Sequence, residues 1–185
     1  MKGRCTWAKN SNPLLVAYHD TEWGRPVYDD QKHFELLCLE GQQAGLSWEI
    51  ILKKRDAYRK IFHQFDPKKV AAMTDKQLLI ATQNKEIIRN KLKVFSIRKN
   101  AQSFLTLQSE EESFDRYIWN FVGGSPLPYL EMRSISPESI EVSNALKKRG
   151  FSFVGPTIIY SYLQAAGLIA DHTPNCFLSK TALPQ

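Results

Sequence analysis

Apolar residues recur along this chain at the three- and four-residue steps of an amphipathic helix, and sustained alternation is nearly absent. The run Phe34, Leu36, Leu37, Cys38 and Leu39 predicts a dense, mostly buried helix over residues 30–38, with Gly41 near its end. Ser47 is placed to cap a helix whose stripe is Trp48, Ile51, Leu52, Tyr58, Ile61 and Phe62. Asp66-Pro67 joins a capping side chain to a proline at the first helical position, and predicts a short helix through Met73. Thr74-Asp75 opens another, carrying Leu78, Leu79 and Ile80. Gln83-Asn84-Lys85 breaks the pattern. Ile87 and Ile88 then begin a long helix with Leu92, Phe95, Ile97, Phe104 and Leu105 as its apolar set. Glu110-Glu111-Glu112 reads as a solvated loop. Ser113 caps a helix carrying Phe114, Ile118, Phe121 and Val122, stopped by Gly123-Gly124.

Residues 125–137 hold Pro126, Pro128 and Pro137 and predict an irregular loop. Two more helices are expected. One covers residues 139–149 and stops at Gly150. The other starts at Pro156, carries Ile158, Ile159, Tyr162, Leu163 and Ala166, and ends near Gly167. Phe151-Ser152-Phe153 is the sole hint of a strand. The expected fold is therefore all-α, with about seven to nine helices.

A chain of 185 residues that is 43% hydrophobic suits a single domain over residues 1–185 with a real core. No apolar run is long enough to span a bilayer, and the first residues lack a secretory apolar stretch. A cytoplasmic protein with no membrane partner is expected. Three cysteines are too few for a disulfide scaffold. Phosphate-cradling GxxxxGK, GxGxxG, HExxH and GxSxG patterns are all missing, which argues against NTPases, Rossmann enzymes and zincin proteases.

The balance of 25 Lys+Arg against 19 Asp+Glu leaves +6 and favours a polyanion partner. Lys85, Arg89, Lys91, Lys93, Arg98 and Lys99 crowd one stretch with Glu86 alone opposing them. Lys53-Lys54-Arg55 and Lys147-Lys148-Arg149 are smaller clusters. Each such cluster is by default a solvated helix face.

Cys5 and His19 lie near one end of the chain, and His172 and Cys176 near the other. Together they form a Cys2His2 set that suits a closed, structural zinc site tying the two ends together. The spacing matches no zinc finger. An open catalytic zinc remains an alternative, as do ordinary roles for the four residues: polar histidines and small hydrophobic cysteines. Cys38 sits in an apolar helix and reads as a buried structural thiol.

Several long segments resemble one family. Met1-Lys2-Gly3-Arg4-Cys5-Thr6-Trp7 and Ala17-Tyr18-His19-Asp20-Thr21-Glu22-Trp23-Gly24 are similar to the N-terminal signature of the 3-methyladenine DNA glycosylase I family. Leu39-Glu40-Gly41-Gln42-Gln43-Ala44-Gly45-Leu46-Ser47-Trp48 resembles its central motif. The block from Ala145-Leu146-Lys147-Lys148-Arg149-Gly150-Phe151 to Val154-Gly155-Pro156-Thr157 and the segments Gln164-Ala165-Ala166-Gly167-Leu168 and Asp171-His172 resemble its C-terminal part.

The resemblance implies a helix-hairpin-helix fold in two helical lobes with the base pocket between them, and one structural Zn2+ on Cys5, His19, His172 and Cys176. It also implies excision of N3-methyladenine from alkylated double-stranded DNA. The base pocket maps to Tyr18, Glu40 and Trp48 with Trp7 nearby, and Glu40 takes the catalytic role. Two features depart from the family pattern. Leu15 stands where relatives can carry an aromatic pocket residue. Residues 83–89 occupy the expected hairpin without a glycine, so Asn84 or Lys85 is expected to take the left-handed turn conformation.

The chemistry is consistent with these residue types. A base must leave the duplex stack before it can be cleaved from its sugar. Gly45-Leu46 lies in a turn from which an apolar wedge can fill the gap. Lys85, Arg89 and Lys91 supply phosphate contacts. A carboxylate beside indole rings suits a cationic purine. Trp23 and Trp119 read as core. A monomer is expected. Two other functions fit parts of the pattern: a non-catalytic, zinc-stabilised DNA-binding module, and a metal-dependent hydrolase built around His19-Asp20.

Overall fold

The computed structural model describes residues 3–128 and 133–179. Nine α-helices lie among the described residues: α1 Pro13–Thr21, α2 Asp30–Gln43, α3 Trp48–Ile61, α4 Pro67–Ala71, α5 Asp75–Ala81, α6 Lys91–Glu110, α7 Phe114–Asn120, α8 Pro137–Lys148 and α9 Pro156–Ala165. The only strands among those residues are Leu127–Pro128 (β1) and Ile169–Ala170 (β2), paired in parallel. No described helix is long and apolar enough to cross a membrane.

Most helix starts follow the capping chemistry of the sequence. Asp66 accepts from the backbone N–H groups of Lys68 and Lys69, ahead of Pro67. Thr74 and Gln77 form a reciprocal capping box, and Ser113 accepts from Arg116 N. Ser47 stands at the N-cap of α3 but makes no side-chain capping bond. Helix α8 begins two residues before the expected start, because Ser136 and Ser139 form their own capping box around Pro137.

Helix α2 is the centre of the molecule. Its residues from His33 to Gln42 are all buried, and α3, α6, α7 and α9 pack around it. The apolar run Phe34 to Leu39 fills the enclosed stretch, and the same enclosure buries His33, Glu35, Glu40 and Gln42 with it. Gly41 lies within its last turn, where an added Cβ would stand 3.2 Å from Phe153 Cβ.

Five sequence expectations change. Helix α1 was not expected: it is short, starts at an Asn12 cap and Pro13, and has no clean polar face. The long helix starts at Lys91 rather than Ile87, because Asn90 takes the capping position and accepts from Lys93 N. Leu92 and Ile80, counted in apolar stripes, are 74% and 63% exposed. Glu110 ends α6 and, with Glu111, pairs with Arg149 instead of standing free in a loop. The strand hint at Phe151-Ser152-Phe153 is an irregular connection. Phe153 carries φ +57 there, and the actual pairing is β1 with β2. Of the expected loop over residues 125–137, residues 129–132 lie outside the described part, as do Met1 and Lys2 of the N-terminal motif.

Candidate base pocket and metal centre

Three helices each turn an i, i+3 pair toward one cavity: Leu15 and Tyr18 from α1, Glu40 and Gln43 from α2, and Ser161 and Gln164 from α9. Trp48 and Glu49 at the start of α3 join them, and the walls close with Thr6, Trp7, Trp23, Asp171 and Thr173. The cavity measures about 450 Å³.

Its polar atoms are unusual. Tyr18 Oη, Glu40 Oε2 and Trp48 Nε1 are each buried with no hydrogen-bond partner. Buried polar groups in native proteins nearly always have partners, and an unpartnered one costs on the order of 1–3 kcal/mol. Three in one cavity mark a site prepared for a polar guest. Burial pushes the Glu40 carboxyl up to about 8. Burial, and then the neighbouring Glu40, raise the Tyr18 phenol well above its ordinary value. Tyr18 and Trp48 lie with ring centroids 5.5 Å apart. Trp7 is 38% exposed and meets Trp23 edge to face at 5.1 Å. Trp23 is buried as expected but also lines the cavity, whereas Trp119 is purely a packing residue whose Nε1 donates to Val27 O.

Beside this cavity the ligand atoms of Cys5, His19, His172 and Cys176 all lie within 4.8 Å of one another, and all four residues are buried. Cys5 Sγ and Cys176 Sγ each lie 3.5 Å from His172 Nδ1, and Cys176 Sγ lies 3.5 Å from His19 Nε2. A tetrahedral zinc with Zn–S near 2.3 Å and Zn–N near 2.05 Å requires S···N edges of about 3.5 Å. The donor set therefore fits a metal ion.

The surrounding groups point the rings inward. His19 Nδ1 bonds Asp20 Oδ1 at 2.8 Å, and His172 Nε2 bonds Trp23 O at 3.2 Å. Thr173 N donates to Cys5 Sγ at 3.4 Å. Asp20 does not face the cluster. Arg4 grips both its oxygens, and that bond is the main reason its carboxyl falls to about 2. This arrangement removes the reading of His19-Asp20 as a hydrolytic metal pair. Gly24 is required nearby: at φ +74 an added Cβ would stand 2.7 Å from His172 Nε2.

Metal cluster and pocket share their carriers. Tyr18 and His19 are neighbours on α1, and Asp171 and His172 are neighbours after β2. Cys5 belongs to both sets. Closing the cluster therefore sets the pocket's far wall. Gln43, Ser161, Gln164, Asp171 and Thr173 were not singled out from sequence. The i, i+3 spacing of Ser161 and Gln164 on an otherwise apolar helix was the available signal.

The expected DNA-contacting residues fall into two groups. Gly45 has φ +77 and Leu46 is 37% exposed at the tip of the turn between α2 and α3. Lys85, Arg89 and Lys91 are exposed along the α5–α6 connection and the start of α6, and Lys99 is exposed two turns into that helix. Lys93 and Arg98 are not part of that surface. Lys93 is buried, and Arg98 pairs with Asp75 and donates to Met73 O. Asn84 and Lys85 do not adopt positive φ. Instead Asn84 Oδ1 accepts from Glu86 N at 2.7 Å, and this side-chain turn replaces the missing glycine.

A sequence profile of the methyladenine glycosylase family matches residues 7–179. The DNA-3-methyladenine glycosylase of Haemophilus influenzae is 46% identical over 182 residues, covering 95% of this chain and 97% of its own. DNA-3-methyladenine glycosylase 1 of Escherichia coli K12 is 47% identical over 178 residues, covering 94% and 95%. A structure on 3-methyladenine recognition by 3-methyladenine DNA glycosylase I of Staphylococcus aureus superposes with a TM-score of 0.89 at 35% identity, over 95% of this chain and 94% of that one. The chain belongs to the methyladenine glycosylase family.

Proposed function

We propose that this protein is a DNA-repair glycosylase that excises N3-methyladenine from alkylated double-stranded DNA by hydrolysis, leaving an abasic site. One observation carries the reading: the unpartnered Tyr18 hydroxyl, Glu40 carboxyl and Trp48 indole N–H meet in one cavity. An everted cationic purine supplies what they lack. Its N–H groups donate to Glu40, and its positive charge restores the ionised carboxylate that burial disfavours. Trp48 and Trp7 offer aromatic faces, worth about 0.5–2 kcal/mol each to a cation. Neutral adenine offers no positive charge to offset ionisation of Glu40, so the pocket selects the damaged base through an unmet polar demand.

The glycosidic bond breaks with its electron pair going to the base, which leaves neutral. Water adds to the sugar cation and gives up a proton. Because the leaving group is already charged, strong acid catalysis is unnecessary. Eversion, positioning and the anionic Glu40 carry the acceleration. Leu46 fills the vacated stack, and Lys85, Arg89 and Lys91 hold phosphates. Cys5, His19, His172 and Cys176 would hold one structural Zn2+, which would tie the chain ends together and would supply no chemistry to the base. The protein acts as a cytoplasmic monomer, with residues 1–185 one domain whose two helical lobes flank the pocket.

Chromatography of bases released from methylated DNA tests the reading. Release of 3-methyladenine that is lost in Glu40→Gln at unchanged helical content supports it. DNA binding without base release identifies a non-catalytic zinc-stabilised DNA-binding module instead.

A further inference from the structure

Lys93 is 7% exposed and has no carboxylate partner; its Nζ donates to Gln42 O at 2.8 Å and to Ala44 O at 2.6 Å. These are carbonyls at the C-terminal end of α2, where a cation is favoured by the helix dipole. A glycine or asparagine ends many helices without burying a charge. Here the ammonium reaches across from the first turn of α6, at Lys91–Glu110.

The contact is one link of a longer chain. Ile88 N, in the connection between α5 and α6, donates to Tyr58 Oη at 3.1 Å. Tyr58 Oη donates to Gln42 Oε1 at 3.1 Å, and Gln42 Nε2 donates to Lys93 O at 2.9 Å. Tyr58, Gln42 and Lys93 are all buried. This continuous polar path joins the basic α5–α6 connection to the turn at Ala44-Gly45-Leu46, which directly follows the last turn of α2, the turn that carries Glu40. Gly45 has open space around it and a positive φ, so the turn has little packing of its own to fix it.

We infer that Lys93 is a positioning residue for base eversion: through Gln42 and Tyr58 it locks the Leu46 turn to the DNA-holding connection, so that both meet the duplex as one rigid body. The inference rests on the reading of Leu46 as the wedge. Misplacing a wedge by about 1 Å is enough to cost tenfold to a hundredfold in rate. The free base, which needs no wedge, should bind as before.

The test compares Lys93→Met, Tyr58→Phe and Leu46→Ala with the wild type. Three readouts are taken: single-turnover excision from alkylated duplex, calorimetric binding of free 3-methyladenine, and 2-aminopurine fluorescence opposite a tetrahydrofuran abasic site. The expected result is excision slowed on the order of tenfold or more in Lys93→Met, and by less in Tyr58→Phe. The fluorescence change should shrink in both, with free-base affinity within about twofold of wild type. If Lys93→Met does not fold, Tyr58→Phe decides, because it removes one hydroxyl and keeps the ring. Wild-type rates in the folded Lys93 and Tyr58 variants beside a slow Leu46→Ala overturn the inference alone. A parallel loss of free-base binding reduces Lys93 to scaffolding and also overturns it. A wild-type rate in Leu46→Ala overturns the wedge reading, and the inference with it.

Discussion

Tyr18 and Glu40 come from different helices, α1 and α2, yet the hydroxyl of one and the carboxyl of the other face the same cavity, and neither has a hydrogen-bond partner. The pair leaves polar groups unpaired where a guest must come. Glu40 carries the larger consequence, because burial alone lifts its carboxyl from 4.5 to about 8.

That displacement makes the unliganded protein pH-sensitive. Below about pH 4.5 the folded and unfolded chains both hold the Glu40 proton, and stability is at its full value with respect to this group. Between there and about pH 8 the unfolded chain releases a proton that the folded one keeps, so stability falls as pH rises. Thermal melting of Glu40→Gln against wild type should show the variant gaining across this window, by up to a few kcal/mol. Parallel melting curves at all pH values contradict this assignment.

Excision should move the opposite way. If the ionised carboxylate receives the cationic base, single-turnover excision by the wild type rises with pH through about 8 and levels off above it. Glu40→Gln should be slow and lack that rise. A rate that declines over the same range means the protonated form of Glu40 is the active one.

The metal cluster joins segments that are remote in sequence, and Phe177 N donates to Gly3 O at 2.9 Å beside it. Elemental analysis should find one zinc per chain. Chelation should lower the melting temperature before activity is lost at constant fold, since metal binding here is coupled to folding. Cys176→Ser should lose metal and stability together. Activity that disappears on chelation with no change in melting points to a catalytic metal.

The basic surface divides by burial. Charge removal at Lys85, Arg89 or Lys91 should weaken binding to any duplex and lower the salt-dependence slope by roughly one each. Arg98→Ala should leave that slope unchanged and lower stability, because Arg98 is tied to Asp75 and Met73 O. Fluorescence titrations at several salt concentrations separate the two behaviours.

Local chemistry makes much of the fold legible in the sequence. Asp66, Thr74 and Ser113 cap helices because their side chains reach backbone N–H groups only a few residues away, and that reach depends on sequence alone. The burial of Cys38, the stripe of α3 and the donor types of the Cys2His2 set are local properties in the same sense. Helix α1 escaped because its apolar residues have no polar face to contrast with, and the start of α6 was misplaced because Asn90 outcompetes the apolar run before it.

What the three-dimensional arrangement decided is every property that depends on who stands opposite. Glu40 in Leu-Glu-Gly-Gln has the composition of a solvated helix residue, and only the enclosure of α2 makes it a buried acid. Lys93 and Arg98 share a basic stretch with Lys85 and Lys91, and only the packing of α6 buries Lys93 and ties Arg98 to Asp75 and Met73 O. Four metal donors at opposite ends of the chain become one site because α1 and the segment after β2 meet. Spacing reports which residues share a helix face; dielectric, partner and distance across the core belong to the folded chain alone.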